Sequence, residues 1–229
     1  GNNTDIGTAL GLKPIGVDVA PKLSLDLLQS LRPDILVDFT NPHSVLENAK
    51  LAIQAEVVPV IGTTGLDADG IAELEALCKR YEVGAFIAPN FAIGAILMMR
   101  FASEVAKYFP HVDIIELHHD QKLDAPSGTA LKTAEWIAKV RKPMAQGHPD
   151  EIEKLPGARG GDYQGIRIHS VRLPGLVAHQ EVIFGGTGQT LTIRHDALTR
   201  ESFMPGVMLA IRKAYKLDKL VIGLENFLD

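Results

Sequence analysis

The stretch ILVDFTNPHSVLENAKLAIQAEVVPVIGTTG, residues 35–65, decides the fold because it contains one complete strand–helix–strand unit. ILVDF (35–39) and VVPVI (57–61) are apolar runs with the length of strands that are buried on both faces. Between them, Asn41 and Pro42 predict a helix start, with Asn41 as the N-cap. Apolar residues then recur at helical spacing, at positions 45, 49, 52 and 53. We therefore expect two parallel strands joined by a right-handed helical crossover.

The same alternation extends on both sides of this unit. Upstream, IGVDV (15–19) predicts a short strand, and LSLDLLQSL (23–31) predicts a helix with Ser24 as its N-cap. Downstream, the apolar spacing over 71–81 predicts a helix, and GAFIA (84–88) predicts the next strand. Strands and helices that alternate with short links indicate a parallel α/β sheet.

The pattern changes after residue 90. Residues 91–109 predict a long helix, 111–120 a strand and 129–140 another helix. Three strand-like segments follow, and the short Gly-containing turns between them favour antiparallel neighbours: 166–173, 176–186 and 189–197. Residues 202–216 predict a last helix. A parallel α/β part is thus expected to precede an α+β part.

Composition excludes several classes of function. The chain is 46% hydrophobic and 22% charged over 229 residues, as in folded soluble proteins, and its net charge of −5 disfavours nucleic acid or anionic membrane as a partner. No apolar run reaches the ~20 residues of a membrane span. The single cysteine, Cys78, excludes an intrachain disulfide and a cysteine-based zinc site. It fits a reducing cytoplasm, which is the location that we expect.

The densest concentration of reactive groups is ELHHDQKLDAPSGT, residues 116–129, between a predicted strand and a predicted helix. If Ser127 caps that helix, the backbone N–H groups of Gly128 and Thr129 point outward and bind an anion, aided by the helix dipole. Lys122 and a histidine supply positive charge beside them. The segment therefore predicts a receptor for a carboxylate and a source of a proton.

His118 and His119 are expected to face opposite sides of the strand, so that one serves chemistry while the other binds or supports. Taken singly, a histidine pair, a Ser-Gly-Thr cap and a lysine each have an ordinary structural explanation, but their concentration in one segment favours a site. A zinc site that adds His169, His179 or His195 is disfavoured, because the sequence has no His-Glu-x-x-His or His-x-His pattern. We expect no bound metal.

Three further turns follow predicted parallel strands: Phe39-Thr-Asn-Pro42, Gly62-Thr-Thr-Gly65 and Ala88-Pro-Asn-Phe91. Parallel sheets bind ligands at this edge, and three such turns together suggest a long ligand such as a dinucleotide. The G-x-G-x-x-G fingerprint of a dinucleotide site does not occur near the start of the sequence. Either the protein is of another kind, or a first strand and its glycine loop precede Gly1.

These motifs together resemble the dihydrodipicolinate reductase family of lysine and diaminopimelate biosynthesis. The strong signal is the segment 116–130, and supporting matches lie at 37–42, 60–65, 88–91, Gly175, 179–184, 194–197 and Arg200. Members of this family have a Rossmann-like nucleotide-binding domain and an α+β domain that binds substrate and forms a homotetramer. The resemblance therefore implies that 1–90 with 201–229 form the nucleotide-binding domain, incomplete at its N-terminus, and that 91–200 form the substrate-binding and tetramerisation domain.

The resemblance also implies an activity and individual roles. Family members reduce the dehydrated form of 4-hydroxy-tetrahydrodipicolinate, a small dicarboxylate, to tetrahydrodipicolinate with NADH or NADPH. His118 matches the acid–base residue and Lys122 the proton donor. Substrate contacts are implied for His119, Ser127, Gly128 and Thr129. Cofactor contacts are implied for Phe39, Gly62, Thr63, Thr64, Ala88, Pro89, Asn90 and Phe91.

Two alternatives remain open from the sequence. One is a dehydrogenase of another small carboxylate. The other is a non-catalytic dicarboxylate-binding or assembly protein, because the pyrophosphate loop is not found in these residues. We expect the loop to lie upstream in a longer natural chain, and the preference for NADH or NADPH stays undecided.

Overall fold

The computed structural model describes residues 4–228 and divides into two compact units, unit 1 (Gly1–Pro89 with Leu209–Asp229) and unit 2 (Asn90–Met208). The strands are β1 (Ile35–Asp38), β2 (Val58–Ile61), β3 (Ala85–Ile87), β4 (His111–His118), β5 (Gly161–Tyr163), β6 (Ile166–Arg172), β7 (Ala178–Gly186), β8 (Gln189–Ala197) and β9 (Leu220–Ile222). The helices are α1 (Ile6–Ala9), α2 (Leu25–Leu31), α3 (Val45–Gln54), α4 (Ala68–Tyr81), α5 (Ile93–Ala106), α6 (Gly128–Val140) and α7 (Met204–Ala214). Short 3₁₀ turns cover Arg200–Phe203 and Leu224–Phe227.

Unit 1 contains a parallel sheet in the order β1-β2-β3-β9. Every residue of β2 is buried, as expected of a strand covered on both faces. The helical repeat predicted between β1 and β2 is confirmed, since α3 buries the predicted residues Val45, Ala49, Ala52 and Ile53. Phe86 of β3 stacks on Phe227 with ring centroids 4.4 Å apart, which joins the C-terminal segment to the core of this unit.

Unit 2 contains a mixed sheet in the order β5-β6-β4-β7-β8. Strand β4 pairs parallel with β6, and the other pairings are antiparallel. Helices α5 and α6 pack against each other and against one face of the sheet. Alternate residues of β4 are buried beneath them, namely Val112, Ile114 and Glu116. The combination of a parallel sheet in unit 1 with an α+β unit 2 confirms the predicted fold class.

The helix start predicted at Asn41 and Pro42 is wrong in position. The Asn41 side-chain oxygen accepts a hydrogen bond from the His43 backbone N–H at 3.0 Å, and α3 begins only at Val45, after Ser44. The Asn41 carbonyl also accepts from the Val45 N–H at 3.1 Å, so Asn41 makes the hydrogen bonds of a cap, but around a turn that precedes the regular helix. The helix therefore starts three residues later than Pro42.

The strand predicted at 15–19 is also wrong, because this segment makes only an isolated bridge between Asp18 and Asp5. The Asp5 carboxylate accepts hydrogen bonds from the backbone N–H groups of Ile15, Gly16 and Val17, the shortest being 2.7 Å to Gly16. A side chain thus takes the donors that a strand ladder would use.

In unit 2, β7 and β8 are antiparallel neighbours as predicted, but β6 and β7 are not neighbours. The alternately buried strand β4 lies between them and pairs with both. This insertion matters for the site, because it places Arg172 of β6 in register with His118 of β4. Within residues 4–228, none of the helices combines the length and apolar character needed to cross a bilayer.

Candidate active site

The predicted segment 116–129 is organised around the carboxylate of Glu116, which is completely buried. Its Oε2 atom lies 2.5 Å from Nδ1 of His118, which shares its strand face because the two residues are two positions apart. Arg172 donates to both carboxylate oxygens, at 2.7 and 2.8 Å, in a bidentate pair. Strand β4 therefore supplies an acid and a histidine, and β6 supplies the arginine that holds them.

The Glu116 carboxyl is held in its charged form. Burial alone raises its pKa, but hydrogen bonds from His118, Arg172 and Ser170 outweigh burial and lower the pKa from 4.5 to about 2. A permanent negative charge therefore faces His118 and Arg172 at neutral pH.

Lys122 lies in the turn that follows β4. Its Nζ atom is 2.6 Å from Oδ1 of Asp124, and this ion pair lowers the pKa of the Asp124 carboxyl. Arg172 also holds this turn, because its Nη2 atom donates to the Asp124 backbone carbonyl at 2.9 Å. His119 is exposed, and its carbonyl accepts from the Lys122 N–H at 3.2 Å. The two predicted proton-handling residues, His118 and Lys122, thus belong to one bonded network.

The start of α6 completes this network. The Ser127 hydroxyl caps the helix as predicted by accepting from the Ala130 N–H at 3.2 Å. The Ser127 backbone N–H donates to Oε1 of Glu116, also at 3.2 Å. Gly128 faces open space, since a Cβ built there would meet no atom within 4 Å. The helix N-terminus therefore presents an unobstructed backbone beside the positive side chains. We call Glu116, His118, Lys122, Asp124, Ser127 and Arg172 the Glu116 cluster.

A second polar chain runs under the start of α6. Thr129 accepts at its hydroxyl from Asn90 Nδ2 at 3.2 Å, and its carbonyl accepts from the Thr133 hydroxyl at 2.7 Å. The Thr133 oxygen in turn accepts from Nε2 of Gln180 at 2.8 Å. Asn90, predicted as a cofactor contact, is therefore bonded to Thr129, predicted as a substrate contact.

In unit 1 the predicted turns after β1 and β2 are joined by Asp38, which is 3% exposed. Its carboxylate accepts from the Thr63 hydroxyl at 2.7 Å, from Asn48 Nδ2 at 2.8 Å, and from both the N–H and the hydroxyl of Thr40. Burial raises the pKa of this carboxyl, but these donors outweigh burial and hold the pKa below its ordinary value. Asp38 thus fixes the two turns against each other with neutral partners.

The turn at Gly62 depends on the absence of a side chain. A Cβ at Gly62 would overlap the ring of Phe39, so the ring lies directly against this backbone while remaining 53% exposed. Gly65 has φ +99° and packs beside Pro42, so it requires glycine as well. Thr64 between them is exposed. A half-exposed aromatic ring beside a glycine turn at the carboxyl edge of a parallel sheet fits a dinucleotide.

The predicted cofactor segment 88–91 is divided between the units, with Ala88 and Pro89 in unit 1 and Asn90 and Phe91 in unit 2. Ala88 and Phe91 are buried, at 1% and 3% exposure, and the Ala88 N–H donates to the Ile61 carbonyl at 2.9 Å. Their side chains therefore serve packing, and a ligand contact at these positions would come from the backbone.

Sequence reasoning gave no role to four charged residues of these sites, namely Asp38, Glu116, Asp124 and Arg172. A signal was present for two of them. Asp38 and Glu116 each interrupt an apolar strand at an inward position, and a buried charge needs partners. Arg172 could not be assigned, because the parallel pairing of β6 with β4 is not visible in the sequence.

The later histidines lie on sheet strands, as predicted, and have separate environments. His169 Nε2 is 3.1 Å from Asp113, His179 Nδ1 is 2.6 Å from Asp196, and the His195 ring lies against Gly94. In the part of the chain that the structure describes, no group of three or more His, Cys, Asp or Glu side chains is arranged to hold a metal ion.

Comparisons with known proteins agree on one family. The family described as "Dihydrodipicolinate reductase, N-terminus" matches residues 1–91, and "Dihydrodipicolinate reductase, C-terminus" matches 94–228. The chain is 69% identical to a 4-hydroxy-tetrahydrodipicolinate reductase of Desulfitobacterium hafniense over 98% of this chain and 84% of that protein. It is 60% identical to the one from Lysinibacillus sphaericus, over 89% and 77%.

A solved structure is similar over the same range. The dipicolinate-bound dihydrodipicolinate reductase from Paenisporosarcina sp. TG-14 is 52% identical, with a TM-score of 0.85 over 98% of this chain and 85% of that chain. Sequence profiles, curated relatives and fold therefore confirm the resemblance that the motifs indicated. The chain belongs to the dihydrodipicolinate reductase family of oxidoreductases.

Proposed function

We propose that this chain reduces the dehydrated form of 4-hydroxy-tetrahydrodipicolinate to tetrahydrodipicolinate with NADH or NADPH, in lysine and diaminopimelate biosynthesis. Its curated relatives carry the name of this reductase. The observation that carries the proposal is the Glu116 cluster, which joins a histidine, a lysine and an arginine to an open helix N-terminus. Such a site suits a ring that bears two carboxylates and must take up a proton.

Diacid binding is assigned to the start of α6. The backbone N–H groups of Gly128 and Thr129 are at the first turn of a 13-residue helix, where they and the helix dipole favour an anion. Open space in front of Gly128 leaves room for a carboxylate. His119 and Ser127 are the further substrate contacts that we propose. Dipicolinate is the natural probe, because the related Paenisporosarcina enzyme was solved with dipicolinate bound.

Proton delivery is assigned to Lys122, with His118 as the acid–base residue. When bound, the reduced nicotinamide supplies a hydride to the unsaturated C–N system of the substrate. Electron density then builds up on the ring, and a positioned acid that neutralises it contributes about 10²–10⁴-fold to the rate. Lys122 carries ionisable protons in a turn that Asp124 and Arg172 hold in place.

Cofactor binding is assigned to unit 1 residues Phe39, Gly62, Thr63, Thr64, Ala88 and Pro89, and to Asn90 and Phe91 at the start of unit 2. Two observations support this assignment. The exposed Phe39 ring lies against Gly62, and the Thr63 hydroxyl is hydrogen-bonded to Asp38. In domain terms, residues 1–90 with 201–229 bind nucleotide, and 91–200 bind substrate. The choice between NADH and NADPH is part of the test below.

We further propose a cytoplasmic homotetramer that assembles through unit 2. The face of its sheet opposite α5 and α6 carries apolar side chains that are only partly covered, namely Ile115, Leu117, Val171 and Ile183. Partly exposed apolar groups on a broad sheet favour a protein partner over water. Light scattering coupled to size-exclusion chromatography should give a particle mass four times the 24.8 kDa mass of the chain. A monomer at micromolar concentration would contradict this assembly.

The activity test follows the loss of reduced-nicotinamide absorbance with freshly generated substrate, using NADH and NADPH in parallel. Turnover with this substrate, but not with other small oxo or imino acids, is the expected result. Calorimetric titration with dipicolinate and with each dinucleotide completes the test. Binding of dipicolinate without binding of either dinucleotide would contradict a reductase and favour a dicarboxylate-binding protein.

A further inference from the structure

Glu116 contacts the histidine, the arginine and the residue that caps α6 in the proposed site. Oε2 is bonded to His118 and Arg172, and Oε1 is bonded to Arg172 and to the Ser127 N–H. We infer that Glu116 is the positioning residue of the proposed reaction, which fixes the proton of His118 on Nδ1 and, through Arg172, holds the turn that carries Lys122. This inference rests on the proposed function, and it adds a role for a residue that need not touch substrate.

The effect of Glu116 on the position of the His118 proton follows from hydrogen-bond chemistry. An ionised carboxylate only accepts hydrogen bonds, so a partner nitrogen 2.5 Å away must carry a proton. In neutral His118 that proton is therefore on Nδ1, and Nε2 keeps the lone pair with which it takes up or releases a proton. An acidic partner that selects one tautomer in this way is a recurrent means of preparing a histidine for acid–base chemistry.

The support of the Lys122 turn follows from Arg172, which contacts both Glu116 and Asp124. One edge of its guanidinium is paired with Glu116, and Nη2 also donates to the Asp124 carbonyl at 2.9 Å. The Asp124 carboxylate holds the Lys122 ammonium at 2.6 Å. Loss of the Glu116 charge therefore releases Arg172 first, and the Lys122 turn loses its support.

A structural ion pair alone would stabilise the unit without controlling the histidine proton. Glu116→Gln separates the two roles. Both carboxylate oxygens face Arg172, and Oε1 also faces the Ser127 backbone N–H. The glutamine oxygen is therefore expected at the Oε1 position and its NH₂ group toward His118. An NH₂ donor facing Nδ1 requires a lone pair there, which moves the neutral His118 proton to Nε2.

Strand β4 offers a matched control in Asp113. This carboxylate also lies beside a histidine ring and an arginine, with His169 Nε2 at 3.1 Å and Arg159 Nη1 at 3.5 Å. Asp113→Asn thus neutralises a carboxylate with the same kinds of partner, five positions before His118 on the same strand. It should leave the His118 tautomer unchanged and turnover within about twofold, well below the contribution of a catalytic acid or base.

The experiment uses the full chain labelled with ¹⁵N-histidine, with the His118 signals assigned from His118→Asn. The wild type should show the Nδ1–H tautomer, and Glu116→Gln should shift toward Nε2–H. The kcat of Glu116→Gln should fall by about 10²-fold, while the KM for the nicotinamide cofactor changes little. Glu116→Gln/Arg172→Met, which leaves neither charge unpaired, should melt near the wild type and remain slow.

An unchanged tautomer, or wild-type kcat in a folded Glu116→Gln or in the double variant, overturns the inference. Its failure is distinguishable from that of the proposed function. A wild-type chain that binds dipicolinate but never turns over the substrate overturns the proposed function. An active wild type whose Glu116→Gln variant is equally active overturns only the positioning role.

Discussion

Asp38 in unit 1 and Glu116 in unit 2 are both buried carboxylates at inward positions of strands, but they are compensated differently. Asp38 is surrounded by uncharged donors from Thr40, Asn48 and Thr63. Glu116 is held by the Arg172 guanidinium, a histidine ring and a backbone N–H. Both carboxyls have a lowered pKa, so both remain charged, yet only Glu116 has titratable groups next to it.

This difference indicates what each unit can do. Neutral donors fix two turns without offering a transferable proton, which suits a rigid binding edge. A histidine and a lysine connected to a permanent anion can hold and move protons, which suits catalysis. If the comparison is correct, substitutions in unit 1 change cofactor affinity, whereas substitutions in the Glu116 cluster change turnover or diacid binding.

The largest effect is expected from Lys122→Ala. Removing the proposed proton donor should lower kcat by about 10²–10⁴-fold, because general acid catalysis contributes that much to the rate. The dissociation constant for the nicotinamide cofactor should change little, since the lysine is assigned to the substrate. Steady-state kinetics and calorimetry measure the two quantities. Lys107→Ala, which breaks an exposed ion pair with Glu104, is the control. Equal kcat for Lys122→Ala and the control would remove Lys122 from the mechanism.

The next largest effect is on acid stability. The folded pKa of Glu116 is about 2, below its ordinary 4.5, so its stabilisation is complete above pH 4.5 and is lost as the pH falls through 2. A pKa difference of this size between the unfolded and folded states corresponds to about 3 kcal/mol of unfolding free energy. Urea unfolding of the wild type should therefore weaken over this pH range by about 3 kcal/mol more than that of Glu116→Gln.

Glu104→Gln serves as the control for this pH dependence. Its carboxylate forms an exposed ion pair with Lys107, and such surface pairs contribute little to stability. The control should follow the wild type throughout the acid range. Parallel curves for the wild type and Glu116→Gln would show that the Glu116 charge is not stabilised by folding, contrary to the buried network around it.

A smaller effect is expected at the unit 1 carboxylate. In Asp38→Asn one acceptor oxygen becomes an NH₂ group that faces donors, so the bond that holds Thr63 weakens. Cofactor affinity should fall about tenfold, which corresponds to about 1.4 kcal/mol, while dipicolinate affinity stays the same. Calorimetry with both ligands distinguishes the units. Glu73→Gln, which removes an exposed carboxylate paired with Lys50, is the control. A loss of dipicolinate affinity in Asp38→Asn would contradict the division of labour.

The sequence was sufficient for features that are local. The Ser24 and Ser127 caps and the apolar stripe of α3 each depend on neighbours within one or two turns of chain, and each was predicted correctly. The segment 116–129 could be identified as a candidate site for the same reason, since its groups are contiguous. Local reasoning placed the start of α3 too early, because the turn that Asn41 closes precedes the regular helix.

Features that depend on distant pairing were not predictable. Arg172 reaches Glu116 across 56 positions because β6 joins β4 in parallel register, and the short strand β9 is only three residues long. Neither the pairing of β6 with β4 nor the strand β9 has a periodic sequence pattern that distinguishes it from other pairings or from a loop. The groups proposed to react could therefore be identified from the sequence, but their connection to Arg172 could not.

The smallest effects come from two glycines and have opposite origins. Gly128 opens α6 and faces empty space, so Gly128→Ala should raise the unfolding free energy by up to about 1 kcal/mol through helix propensity. The same methyl group occupies the space proposed for a carboxylate and should weaken dipicolinate binding several-fold. Gly62→Ala should lower stability instead, because its Cβ overlaps the Phe39 ring, and should weaken only the cofactor. Thermal melts with and without each ligand measure these changes. If Gly128→Ala were to stabilise the chain without weakening dipicolinate, the diacid could not lie at the start of α6, and the functional contrast between the two units would lose its geometric basis.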